Sequence, residues 1–413
     1  MTPPGPDTPP GPATPPGPDT PLGSDTPHPQ SPTGHRFGRR RLLAADGPQS
    51  TPASGQAFQP LPPPVGPSPF HLDLASVLGD AAVAAITKAG AMTFHMVGDT
   101  GGIANPLPQQ NVAEAMERDI TAPAAGWVPS FLYVLGDCVY FNGQESQYYP
   151  QFYDPYVHYT APIFAVPGNH DGDPLNAGQT TLDGFIQNFC TTAPATNPAA
   201  GDTGRTTMTQ PNVYWTLDTP LATIIGLYTN VPEYGEMDAT QVAWLHSELT
   251  AAPAGKALIV TMHHPPISAD AYHSSSAYMI GVLDDAMKAT KRLPDLICAG
   301  HVHDYQRHSR DASLVDGSGS LTYLVAGNGG YHNLHAIAAD VVALKLPATF
   351  PGLAGVTIQA VDSGHYGYTR IRVSAQDIHV QAVQVSVPPG VAPTAITPAV
   401  FDDFTVPVRP PAG

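Results

Sequence analysis

Residues 92–102 read MTFHMVGDTGG: a mostly apolar run stops at Gly98, and Asp99 follows at once. The same plan recurs four more times. FLYVLGDCVY spans 131–140, IFAVPGNHD spans 163–171, ALIVTMHHPP spans 257–266 and LICAGHVH spans 296–303. The apolar runs (92–97, 131–135, 163–166, 257–261 and 296–299) are short and rich in β-branched or aromatic residues, which predicts buried strands. Each run is followed by Asp, Asn or His, usually beside Gly.

In open α/β sheets the loops at the carboxyl ends of strands converge on one crevice. Glycine lets the backbone turn sharply there. Taken singly, a Gly-Asp pair makes a turn and a loop His is a surface residue. His301 and His303 say more, because alternate residues of an extended segment face the same way. Five such segments in order predict a cluster of oxygen and imidazole donors, which suits iron, zinc or manganese. Seven donors are too many for one tetrahedral ion. They suffice for two ions about 3.5–4 Å apart that share a carboxylate.

Between the runs, residues 112–120 have a helical pattern. Asp238 is placed to cap a helix through Leu249, with Gln241 three residues on as in a capping box. Stretches 213–217, 222–228, 322–325 and 371–373 add strands. This count predicts an α/β fold with two β-sheets packed as a sandwich and flanked by helices.

The order of motifs resembles the calcineurin-like metallophosphoesterases, and among them the purple acid phosphatases. Most of that superfamily carries Asp-x-His in the first motif. Here it is Asp99-Thr100-Gly101, and Tyr140, three residues after Asp137, supplies a donor instead. The first two motifs look like the short, tartrate-resistant type. The last, with Tyr305 and Arg307 after it, looks like the large plant-type enzymes. The likeness spans roughly residues 90–385. Large relatives carry an extra N-terminal β domain that residues 1–69 cannot form.

The resemblance implies two metal sites. Asp99, Asp137, Tyr140 and His303 would hold Fe(III); Asp137, Asn169, His263 and His301 would hold a divalent ion, Fe, Zn or Mn, with Asp137 bridging. Phenolate and carboxylate suit the trivalent ion, amide and imidazole the divalent one. The expected reaction is acid-phosphatase-like hydrolysis of phosphate monoesters by water that the ions make acidic. His170 would protonate the leaving group, with Asp171 orienting its ring. His273 and His264 are candidates for binding substrate. His332, His335 and His365 are further candidates for lining the cleft, whereas His95 and His158 read as structural. The alternatives are a phosphodiesterase on the same metal pair and a non-catalytic scaffold with this fold.

The rest of the chain bounds these expectations. Of 413 residues, 48 are Pro and 39 are Gly. Residues 2–25 are four copies of a six-residue unit, TPPGPD, TPPGPA, TPPGPD and TPLGSD. With almost nothing to bury, residues 1–69 are expected to form a disordered Pro-rich arm. A catalytic domain is expected over 70–387 and a tail over 388–413. Acidic residues outnumber basic ones 34 to 17, which disfavours a duplex-wrapping nucleic-acid binder, so no nucleic-acid partner is expected. It permits a phosphorylated small-molecule substrate, since bound cations reverse the local sign. Cys138, Cys190 and Cys298 allow at most one bridge. No apolar run is long enough for a membrane span, and no signal peptide is visible, so the default expectation is a cytoplasmic protein. Oligomeric state stays open.

Overall fold

The computed structural model describes residues 56–124, 126–176, 180–386 and 396–410. Its strands build two sheets. One has nine strands in the order His71–Asp73, Trp215–Asp218, Ala222–Gly226, Ala257–Met262, Leu296–Ala299, Ser320–Ala326, Tyr305–Asp311, Val356–Asp362 and Ala348–Thr349. The other has six, in the order Thr397–Pro407, Asp377–Ser386, Tyr366–Ser374, Ala91–Val97, Leu132–Val134 and Ile163–Ala165. Four adjacent strands of the first sheet, from Ala222–Gly226 through Ser320–Ala326 in that order, run parallel. So do the last three of the second.

Side chains alternate across a strand, and both faces here are covered. Met92, Phe94 and Met96 enter the layer between the sheets, with Ile371 and Val380 beside them and Trp215, Ile224, Ile259 and Leu324 from the opposite sheet. Val97 and Val134 instead join Val112 and Met116 of the helix Leu107–Thr121. Ile225, Val260 and Ile297 join Leu245 and Leu249 of the helix Ala239–Ala251 and Leu283 and Met287 of the helix Ala277–Thr290. Double-sided burial is why these strands read as continuous apolar runs. A ladder of rings crosses the second sheet and reaches the first: Phe94 stacks on Phe131 at 4.7 Å, Phe131 meets Phe164 edge-on at 5.3 Å, and Phe164 meets Trp215 of the opposite sheet at 5.7 Å. Truncating Phe94 to Ala would cost about 3–5 kcal/mol.

Asp238 caps its helix as expected, accepting from Gln241 N at 2.7 Å. The capping box does not close. The Gln241 side chain instead clasps the backbone N–H and C=O of Tyr228, both at 2.8 Å. His95 is buried, with Nε2 3.1 Å from Asp119 Oδ2 and Nδ1 3.2 Å from Tyr159 Oη.

The chain ends differ from expectation. Residues 1–55 of the expected arm lie outside the described residues. Residues 56–69, expected in that arm, lie against the fold. Val65 and Gly66 donate backbone N–H groups to Pro211 O, Trp244 Nε1 donates to Pro69 O, and Leu61 and Val65 pack on the core. The expected tail contains the strand Thr397–Pro407, paired along Asp377–Ser386. Arg307 holds its Asp402 through two bonds of 2.7 and 3.0 Å. All three cysteines are buried and free. No helix among the described residues is long and apolar enough to cross a membrane.

Candidate metal centre

The five loops meet where the two sheets bring their strand ends together. Three donors there sit on backbone that L-residues rarely adopt: Asp99, Asp137 and His301 have φ of 57°, 53° and 68°. Such strain concentrates where surrounding structure fixes a functional side chain. Gly168 is needed beside Asp137, because a Cβ there would run into the Asp137 carboxylate. Asp171 ties two loops together by accepting from Cys138 N, Val139 N and Gly168 N at 3.1, 3.1 and 3.0 Å.

All seven expected donors come together. On one side, Tyr140 Oη lies 3.2 Å from Asp99 Oδ1 and 3.3 Å from His303 Nε2, and His303 Nε2 lies 3.5 Å from Asp99 Oδ1. On the other, Asn169 Oδ1 lies 2.9 Å from His263 Nε2 and 3.1 Å from His301 Nδ1. Asp137 Oδ2 is 3.4 Å from His263 Nε2. Ligand atoms about 2.1 Å from a shared ion stand about 3 Å from one another, so these spacings fit two coordination shells.

The free nitrogen of each imidazole decides which atom faces an ion. His263 Nδ1 donates to Leu135 O at 2.8 Å and His303 Nδ1 to Asn333 O at 2.7 Å, so both present an Nε2 lone pair. His301 presents Nδ1.

The electrostatics also call for cations. Asp99 and Asp137 are buried, and among the described residues neither Lys nor Arg lines the cleft. Burial lifts the Asp99 carboxyl to about 7. Asp137 is also opposed by burial, yet His263 and His170 hold it well below the usual carboxylate range. Burial pulls His263 down, but the Asp137 charge outweighs it and raises the imidazole to about 9. Burial takes His301 and His303 down to about 3, leaving neutral rings suited to ligation. Burial, with Asp137 and Asp99, pushes the Tyr140 phenol well above its ordinary value. A phenolate at Tyr140 therefore requires a strong cation beside it.

The other candidates divide. His170 and His273 line the cleft with Asp137, Asn169, His301 and His303. His170 donates Nδ1–H to Phe141 O at 2.9 Å and its backbone N–H to Asp137 Oδ1 at 3.0 Å. Asp171, expected to orient His170, is occupied by backbone N–H groups instead. His264 is buried behind the cleft rather than on it, its Nδ1 2.7 Å from Thr229 Oγ1. His335 backs the site, its Nδ1 accepting from His303 N at 3.3 Å, whereas His365 pairs with Asp362 at 3.0 Å. His332 has Tyr366 Oη donating to its carbonyl at 2.9 Å.

Two residues here were not anticipated. Tyr331 stacks on Tyr140 with ring centroids 4.0 Å apart. Glu233 contacts His273 Nδ1 through Oε1 and lines the cleft. A signal for Glu233 existed, since it lies in the loop after the apolar stretch 222–228, as the five donor loops follow theirs.

The sequence model of the calcineurin-like phosphoesterases matches residues 92–305. No curated protein matches the chain significantly. Among solved structures, a purple acid phosphatase from yellow lupin (Lupinus luteus) seeds is similar at a TM-score of 0.53 and 17% identity, covering 77% of this chain. This chain spans 54% of that enzyme's length. The anchor in the inner membrane complex of Plasmodium is similar at a TM-score of 0.51 and 14% identity, covering 77% of this chain and 89% of its own.

Proposed function

The chain belongs to the calcineurin-like phosphoesterase family, and from that premise we propose that it is a metal-dependent phosphoesterase hydrolysing phosphate monoesters, of the acid phosphatase type. The observation that carries this reading is the single group of seven donors around Asp137 at the floor of a cleft. Asp99, Asp137, Tyr140 and His303 would hold one ion, suited to Fe(III). Asp137, Asn169, His263 and His301 would hold a divalent one, Fe, Zn or Mn. Bound ions of this kind supply Lewis acidity toward the phosphoryl oxygens and lower the pKa of water.

The protein's own groups supply position and protons. His170 fixes Nδ1–H on Phe141 O, so Nε2 is the atom that delivers a proton to the leaving oxygen. Its backbone N–H steadies the shared carboxylate. Burial alone would lower His273, but Glu233 outweighs it and raises the imidazole. A cationic ring at the rim binds a phosphoryl oxygen and stabilises charge spread over the oxygens in the transition state.

The reading is tested by turnover of p-nitrophenyl phosphate against its bis-ester, before and after chelation. Metal-dependent turnover favouring the monoester is expected. Preference for the diester would replace the monoesterase reading. Absence of turnover in a chain carrying both metals would favour a scaffold, the reading suggested by the anchor of similar fold.

A further inference from the structure

A metal-bound histidine is held by whatever accepts the hydrogen on its other ring nitrogen. Two of the three histidines here use backbone carbonyls, Leu135 O for His263 and Asn333 O for His303. His301 differs. Its Nε2 is buried, has no hydrogen-bond partner among the described residues, and faces the Glu233 carboxylate at 3.9 Å. The same Glu233 oxygen contacts His273 Nδ1. Glu233, His273 and His301 thus form a compact group in which each offers an atom within 4.8 Å of the others.

We propose that Glu233 is a positioning residue that serves both halves of the site. It takes the Nε2 hydrogen of His301, which turns Nδ1 toward Asn169 Oδ1, 3.1 Å away. It also anchors His273 at the rim through Nδ1. One carboxylate therefore joins a ligand of the second ion to the residue that meets the substrate anion. A loop carbonyl could hold His301 alone. A carboxylate oxygen has lone pairs for both imidazole hydrogens, and its charge strengthens each bond.

This inference rests on the two-ion reading above, and its test separates the two. Zinc binding to the full chain is titrated against a competing chelator, and inhibition by inorganic phosphate is measured alongside. Wild type is expected to bind two ions. Glu233→Gln keeps the size of the side chain but loses the charge. It is expected to bind one ion as wild type does, to bind the other about 10–100-fold more weakly, and to be inhibited less by phosphate. Glu233→Asp restores part of both. His273→Gln is expected to weaken phosphate inhibition while leaving both zinc affinities unchanged. A wild-type chain that holds fewer than two ions, zinc and retained iron counted together, overturns the metal-centre reading and this inference with it. Two ions bound by Glu233→Gln as tightly as by wild type overturn this inference alone. An equal loss of zinc affinity in His273→Gln overturns the direct hold on His301.

Discussion

The backbone N–H of His301 donates to Oδ2 of Asp99 at 2.8 Å, across 202 residues of chain. That bond closes the fifth donor loop on the first. It occupies Oδ2 and leaves Oδ1 facing Tyr140 and His303. The two sheets therefore contribute to one site through a backbone contact as well as through the donors.

In the proposed centre Asp137 would be the shared carboxylate. Its replacement by Ala should empty both positions, because each shell loses a charged ligand in a buried setting. Metal analysis of the purified variant should fall from two ions toward none, and turnover should fall by at least about 100-fold. Retention of two tightly held ions would contradict the bridging role.

In the proposed centre Tyr140 would set the chemistry of the first position. With Fe(III) bound, phenolate-to-iron charge transfer should colour the protein violet. Tyr140→Phe should abolish the band while the fold persists, since the phenyl ring keeps its stack on Tyr331. A colourless, iron-free wild type with full activity would remove iron from the assignment and leave the phosphoesterase reading standing.

In the proposed mechanism His170 protonates the leaving group. His170→Ala should lower kcat about 10²–10⁴-fold with metal content unchanged. The loss should shrink for substrates with better leaving groups, which need no proton. A collapse of metal content would instead mean that the ring serves the ligand shell.

Far from the site, His71 sits between Asp218 Oδ2 at 2.6 Å and Glu248 Oε2 at 2.8 Å. Hydrogen bonds to Asp218 and then Glu248 raise it from its ordinary 6.5 to about 10. A raised folded value means that the pairing contributes in full below pH 6.5 and is lost as pH climbs through about 10. His71 and Asp218 are about one-third exposed (34% and 33%), so solvent screening limits the contribution to about 1 kcal/mol. Denaturant melts should show wild type more stable than His71→Gln at pH 6, with the gap closing by pH 10.5. A gap that stays constant over this range would show that His71 acts by packing alone.

Most of the site was legible because its donors follow the strands that are buried on both faces. Those strands appear as apolar runs, and the residue after each run is placed by the strand itself. The missed strands lack that signal. Tyr305–Asp311 reads YQRHSRD, and it enters the sheet because Arg307 and Arg310 are neutralised by Asp402 and Asp284, residues far off in sequence. Thr397–Pro407 carries two prolines and two aspartates on an edge where one side of the ladder needs no partner. The orientation of His170 was missed for a similar reason. The local spacing pointed to Asp171, but backbone N–H groups from two loops claimed that carboxylate. His264 adjoins a donor in sequence, and strand alternation turned it the other way.

Gln59 donates its backbone N–H to Asn230 Oδ1 at 2.8 Å and accepts from Asn230 Nδ2 at 2.9 Å. Asn230 lies three residues before Glu233, and Gln56 itself lines the cleft. The point at which the chain is truncated from its N-terminal side therefore matters. A cut before Gln56 spares this clasp, whereas a cut after Gly66 removes the brace from the loop that carries Glu233 and opens the rim of the cleft to solvent.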